Sequence, residues 1–128
     1  MNSYKPRIIA KLEIQSNHVV KPIYFEGLRR VGTSPEMAQK YFSDGADELI
    51  YIDIVASLYQ RGIDYEQIKS ASDNIYIPLT VGGGIRTVDD CHRLFDSGAD
   101  KVCINTHALQ YDSTLIDSAA QIFGSQAV

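Results

Sequence analysis

The hexapeptide Phe42-Ser-Asp-Gly-Ala-Asp47 returns as Phe95-Asp-Ser-Gly-Ala-Asp100, 53 residues further along, with four of its six positions identical. Each copy follows a helix-like stretch and precedes a strand-like one. A Gly-Ala step at a helix C-terminus is common, so the match has weight only through its position. A βαβ unit needs roughly 30 residues or more. A repeat of this length between helix and strand therefore marks two βα-βα quarters stacked in one sheet.

The rest of the chain fits that frame. Arg7-Ile-Ile-Ala-Lys-Leu-Glu13 alternates apolar and polar residues as a strand does. A longer loop is expected from there to about Gly32. Thr33 is placed to cap a helix through Met37, Ala38, Tyr41 and Phe42, with Pro35 in the first turn and Glu36 completing a capping box. Glu48-Leu-Ile-Tyr-Ile-Asp53 reads as the second strand and Tyr65 to Ser72 as a weaker helix. Pro78-Leu-Thr-Val81 is a short third strand running into Gly82-Gly83-Gly84. A helix from Thr87 or Val88 to Phe95, a strand Lys101-Val-Cys-Ile-Asn105 and a helix from Ser113 to Phe123 complete the pattern. Strands separated by such helices indicate parallel βα units. A closed (β/α)₈ barrel takes about 250 residues. Four parallel βα units in 128 residues predict an α/β half-barrel, read as one domain over residues 1–128.

Composition excludes several function classes. Net charge is −4, without the basic footprint of a nucleic-acid binder. Apolar runs such as Leu49 to Ile52 are too short to span a bilayer, and the N-terminus lacks a secretory apolar region. Cys91 and Cys103 form no CxxC motif, and read as reduced thiols of a cytoplasmic protein. His18, His92 and His107 show no metal-ligand spacing, so no metal is assigned.

Barrel interiors are usually filled by branched apolar residues, and the first strand departs from this. If Ile9 points inward, Arg7, Lys11 and Glu13 share its parity; Lys101, Cys103 and Asn105 repeat the situation in the fourth strand. Inward charges must be paired or face a wet space; the plain alternative is that they point outward or lie beyond the packed layers. At the C-terminal strand ends, where barrel enzymes place their sites, stand Glu13, Asp53, Gly82 to Gly84, Asn105 and Thr106. Three glycines let a backbone cradle an anion, or simply make a tight turn. Asn105 and Thr106 add donors from the adjacent strand and tip the reading toward phosphate. Glu13 and Asp53 are candidate acid-base groups, or ordinary loop and cap residues. Lys21, Arg29 and Arg30 offer cations in the first loop, whether for a substrate phosphate or only for solvent.

With these residues in view, the chain resembles the cyclase subunit of the imidazole glycerol phosphate synthase family. The resemblance is carried by Arg7-Ile-Ile, Val19-Val20-Lys21, Gly45-Ala-Asp-Glu-Leu49, Pro78-Leu-Thr-Val-Gly-Gly-Gly-Ile-Arg86, Gly98-Ala-Asp-Lys-Val102, Ile104-Asn-Thr106 and Phe123-Gly-Ser-Gln126. It implies a lyase-type synthase of histidine biosynthesis that needs no cofactor. Ammonia from a glutaminase partner would pass up the barrel to a bis-phosphorylated substrate. Arg7, Glu48 and Lys101 fall on three of four positions of a charged ammonia gate. Gly84, Asn105 and Thr106 fall on one of two phosphate sites, beside Gly82 and Gly83 of the same turn. Glu13 falls on the first catalytic carboxylate, and Lys21 and Asp53 on other active-site positions.

Three departures qualify the resemblance. The family's catalytic aspartate is Glu13, longer by one methylene. The preceding interior position, usually small or cysteine, is Lys11. The segment Asp53-Ile-Val-Ala-Ser-Leu-Tyr-Gln-Arg61 is similar to a divergent branch that supplies ammonia for amidination of a surface-polysaccharide sugar, a branch that Lys11 also suits. The second catalytic aspartate and second phosphate site belong to later strands. Two copies are therefore expected to close one barrel by self-association, hiding both sheet edges. Alternatives are the polysaccharide role and a non-catalytic half-barrel that only binds phosphate.

Overall fold

The computed structural model describes residues 5–16, 18–23, 27–56, 62–110 and 113–128; the side chains at 22, 23, 28, 29, 106 and 107 lie outside the description. The elements run β1 (Ile9–Gln15), β2 (His18–Ile23), β3 (Gly27–Thr33), α1 (Ser34–Ser43), β4 (Glu48–Asp53), α2 (Tyr65–Ser72), β5 (Leu79–Gly82), α3 (Val88–Asp96), β6 (Lys101–Cys103), α4 (Thr106–Gln110) and α5 (Thr114–Phe123), with a closing 3₁₀ turn at Ser125–Ala127. The strands form one sheet in the order β3-β2-β1-β4-β5-β6. β1, β4, β5 and β6 are parallel neighbours, and the helical connections between them give the expected parallel-rich βα succession of a partial (β/α)₈ barrel.

One expectation is corrected. The stretch read as a loop to Gly32 is an antiparallel hairpin, β2–β3, joined to the end of β1 through Ile14↔Val19 and Gln15↔His18. Pro22, Gly27, Gly32 and three cations mask its alternation in the sequence. A bulge masks it further: Val19 pairs with Gly32 but Val20 pairs with Arg30. Val31 is thus the extra residue and stays exposed, while adjacent Val19 and Val20 are both buried. The short helix α4 was not foreseen either, and the fourth strand stops at Cys103 rather than Asn105.

Local chemistry sets the helix starts. Thr33 Oγ1 accepts the Glu36 N–H at 3.4 Å, which is only one half of the capping box expected there; Asp64 Oδ1 accepts from Gln67 at 3.1 Å, and Thr87 with Asp90 forms a complete capping box on α3. The core lies between sheet and helices. Leu12, Ile14, Leu49, Tyr51, Val81 and Val102 project from the strands onto Met37, Ala38, Ile68, Ala71, Leu94 and Ala119. Each fully buried leucine or isoleucine there stabilises the fold by about 1.5–3 kcal/mol.

The repeated hexapeptide takes one structure twice. Gly45 and Gly98 follow α1 and α3 with φ of +98° and +116°, a conformation that favours glycine. Ala46 N–H then donates to Tyr41 O at 3.0 Å, and Ala99 N–H to Leu94 O at 3.1 Å. Both copies lead directly into a parallel strand, β4 or β6. The repeat is therefore architectural, one copy in each βα-βα quarter.

Candidate functional site

Register divides the sheet into two faces. Leu12, Tyr51, Val81 and Val102 line up across the parallel strands and face the helices. On the opposite face, Lys11, Ile50, Thr80 and Lys101 form one row, and Glu13, Ile52, Gly82 and Cys103 form the next. This second face is the interior side of a barrel. Only Ile50 and Ile52 in these rows are the branched apolar residues usual there; the charged Lys11, Glu13 and Lys101 depart from that filling.

At the N-terminal end of the strands the structure brings two expected gate residues together. Arg7 Nη2 and Glu48 Oε1 form an ion pair. Glu48 is buried, at 8% exposure, and a buried carboxylate without a partner would be costly. Lys101 opens β6 just as Glu48 opens β4, but it lies in the row of Thr80, one same-face step above Ile9 and Glu48. Among the described residues no ion pair joins Lys101 to that couple.

At the opposite end the two candidate carboxylates differ. Asp53 pairs in register with Ile14, on the helix-facing parity. Its Oδ1 accepts the N–H groups of Val55 and Ala56, both at 3.0 Å, so this carboxylate shapes the turn after β4. Glu13 lies on the interior side, with Lys11 Nζ at 3.4 Å from its Oε1. No described backbone group holds the Glu13 carboxylate, which leaves it open to a ligand. Lys21 stands exposed on β2, opposite Arg29 and beyond the last β1 pairing. Among the described residues no ion pair joins it to Glu13 or Asp53. The side chain of Arg29 and residues 57–61 of the divergent loop are outside the description; Arg30 is exposed on β3.

The three glycines have separate reasons. A Cβ on Gly82 would stand 2.9 Å from the Cys103 Cβ, the Cys103 carbonyl and Ile52 Cδ1, so the row admits no side chain. Gly83 has φ of +100° and Gly84 of +78°. A Cβ on Gly83 would lie 2.3 Å from the Asp53 carbonyl, so the end of β4 seats directly on this turn. The Gly82↔Cys103 pairing brings Gly83 and Gly84 to the same strand end as Asn105 and Thr106. Asn105 is exposed there, and Thr106 begins the single-turn helix α4. Two successive glycines in the left-handed region expose backbone that could take an anion.

Sequence reasoning missed Asp90. Its Oδ2 accepts the N–H groups of Arg86 at 2.9 Å and Thr87 at 3.1 Å, holding the segment that leaves the glycines. The Thr87-x-x-Asp90 spacing was the available signal, a capping box with aspartate in the acidic position. It also missed a cavity of about 440 Å³ along edge strand β6, lined by Thr80, Lys101, Cys103, Ile104, Ile116 and Val128 among others.

Fold and site together define the class: parallel βα units of a (β/α)-barrel, with a polar interior and a glycine turn at the C-terminal strand ends. The chain belongs to the histidine biosynthesis protein family, whose profile matches residues 7–128. It is similar to the imidazole glycerol phosphate synthase subunit HisF of Legionella pneumophila, 52% identical over 122 residues, covering 95% of this chain and 57% of the relative. The corresponding subunit of Campylobacter concisus is 46% identical over 128 residues, covering 100% of this chain and 51% of the relative. The Natranaerobius thermophilus subunit is 46% identical over 122 residues, covering 95% and 48%. The chain spans about half the length of these curated relatives. No described helix is long and apolar enough to cross a membrane.

Proposed function

We propose that the chain forms the N-terminal half of a cyclase of the imidazole glycerol phosphate synthase type. It would bind one phosphate of a bis-phosphorylated substrate at Gly82 to Gly84, Asn105 and Thr106, and use Glu13 as a general acid-base group. The observation that carries this is the Glu13 carboxylate, free of backbone caps on the interior face, at the same strand ends as Gly83, Gly84 and Asn105. Lys21 would reach the substrate from the hairpin, and Asp53 would shape the glycine turn by its backbone. Arg7, Glu48 and Lys101 would gate ammonia delivered by a glutaminase partner at the opposite end. The protein would work in the cytoplasm, where its two free thiols stay reduced.

A second copy of the chain would cover the β6 edge and the charged interior. The β4–β5 junction inside the chain is a template for β6 against β1 of a partner, since the repeat makes β6 the counterpart of β4. Such closure would place a second Glu13 across the barrel, and the isolated half would be impaired without it. Light scattering is expected to give twice the 14.2 kDa chain mass, with tighter association when a bis-phosphorylated sugar is added. A monomer with unchanged mass at micromolar concentration rejects closure by self-association.

A second reading, amidination of a surface-polysaccharide sugar with ammonia from the same conduit, is favoured by one observation: the Lys11–Glu13 pair where the family has a smaller residue before its carboxylate. Product analysis separates the readings. Ammonium-dependent imidazole formation from the bis-phosphorylated substrate supports the cyclase, an amidino sugar supports the second reading, and phosphate binding without either reaction leaves a non-catalytic half-barrel.

A further inference from the structure

The segment that leaves the glycine turn is tied to a neighbouring helix through one carboxylate. Asp90 Oδ2 takes the N–H groups of Arg86 and Thr87, and its Oδ1 takes the hydroxyl of Tyr65 at 3.2 Å. Tyr65 is the first residue of α2, so the bond crosses between two βα units. The Arg93 guanidinium lies 4.1 Å from the Tyr65 ring centroid, fixing the ring from the same helix that carries Asp90. Burial first, and the Asp90 charge second, push the Tyr65 phenol up to about 12. The hydroxyl therefore remains a donor across the neutral range.

The turn is held from its other end by Asp53, whose carbonyl seats against Gly83. Between these anchors run only Gly84 and the buried Ile85. Backbone direction at Gly83 and Gly84 thus depends on both anchors, and one of them is movable by a single side-chain oxygen.

We propose that Tyr65 is a positioning residue for an anion site at Gly83 and Gly84: by anchoring Asp90 it fixes Arg86 and Thr87, and so aims the backbone N–H groups of the glycine turn at a phosphate. This rests on the phosphate reading given above. It adds that α2, an element remote from the ligand, sets how well the turn binds. A ring that served only helix packing would contribute to stability and leave binding alone.

The test is an amide-resolved NMR titration of the folded chain with inorganic phosphate. In the wild type, Gly83, Gly84 and Asn105 should shift. In Tyr65→Phe, which keeps the ring and its Arg93 contact, the phosphate Kd should rise ~3-fold to 10-fold, while the lost Tyr65–Asp90 hydrogen bond lowers the thermal midpoint modestly and leaves the chain folded. Arg93→Met, which frees the ring but keeps its hydroxyl, should weaken phosphate binding less than Tyr65→Phe does. Asp90→Asn gives a second reading of the same link and should weaken phosphate binding as well. Wild-type Kd in both Tyr65→Phe and Asp90→Asn overturns the positioning role while leaving phosphate binding intact. Absence of any shift at Gly83, Gly84 and Asn105 in the wild type overturns the phosphate reading itself, and the proposal with it.

Discussion

Asp100 and Leu79 exchange two hydrogen bonds: the Asp100 N–H donates to the Leu79 carbonyl, and the Asp100 carboxylate accepts the Leu79 N–H, both at 2.8 Å. Asp47 and Ile8 repeat the arrangement at 2.8 and 2.7 Å. The last residue of the repeated hexapeptide is thus a clamp that fastens each quarter's second strand to the start of its first.

The two clamps differ in burial, and this decides their cost. Leu79 is buried at 3% exposure whereas Ile8 is 62% exposed. Asp100→Ala leaves a partly buried N–H without its acceptor and should cost about 1–3 kcal/mol. Asp47→Ala lets water replace the carboxylate and should cost under about 1 kcal/mol. Urea unfolding of both variants measures the difference; equal losses would show that the clamps do not act through desolvated backbone.

Gly83→Ala should be the most damaging single-methyl change at the glycine turn. Its φ alone costs roughly 1–3 kcal/mol for a residue with a Cβ, and the new atom would collide with the Asp53 carbonyl. Gly82→Ala meets three atoms at 2.9 Å without a φ penalty, so overpacking of about 1–3 kcal/mol is its whole cost. Thermal unfolding of the pair checks the order, which a more stable Gly83→Ala would reverse.

Stability should fall in alkali. Burial, reinforced by the Asp90 charge, pushes the Cys91 thiol up from 9.0 to about 11, and the Tyr65 phenol rises from 10.0 to about 12. The folded protein therefore keeps protons that the unfolded chain releases, and stability declines as pH rises. The contribution is complete below about pH 9 and is lost as pH climbs through the folded values. Urea midpoints should be level near pH 8 and fall steadily toward pH 11, as the raised Cys91 and Tyr65 values require. A midpoint that holds or rises over that window would contradict the assignment of Cys91 as a buried, protonated thiol.

The parallel core was legible because each strand and helix carries its own period, and Thr33 caps α1 in the way its position suggests, while the Asp64 and Thr87 caps went unread. The hairpin was not, because its bulge at Val31 breaks the alternation that would have marked it. At the site, parity on β1 correctly grouped Lys11 with Glu13, whose side chains meet. The same rule could not show that Asp53 points the other way, since that depends on which residue of β1 it pairs with. The bond from Tyr65 to Asp90 spans 25 residues and two helices, and no local pattern encodes it.

The central claim is that the Glu13 carboxylate moves protons in a family-type reaction at the open end of the strands. The direct measurement is the ammonium-dependent turnover of a bis-phosphorylated substrate by the associated protein, comparing wild type with Glu13→Gln and Glu13→Asp. Glu13→Gln keeps shape but not charge, and should lower kcat by about 10²-fold or more with substrate binding retained. Glu13→Asp restores the carboxylate and should keep most of the turnover. Unchanged kcat in Glu13→Gln would contradict the claim and leave the Lys11–Glu13 pair as a feature of the sheet alone.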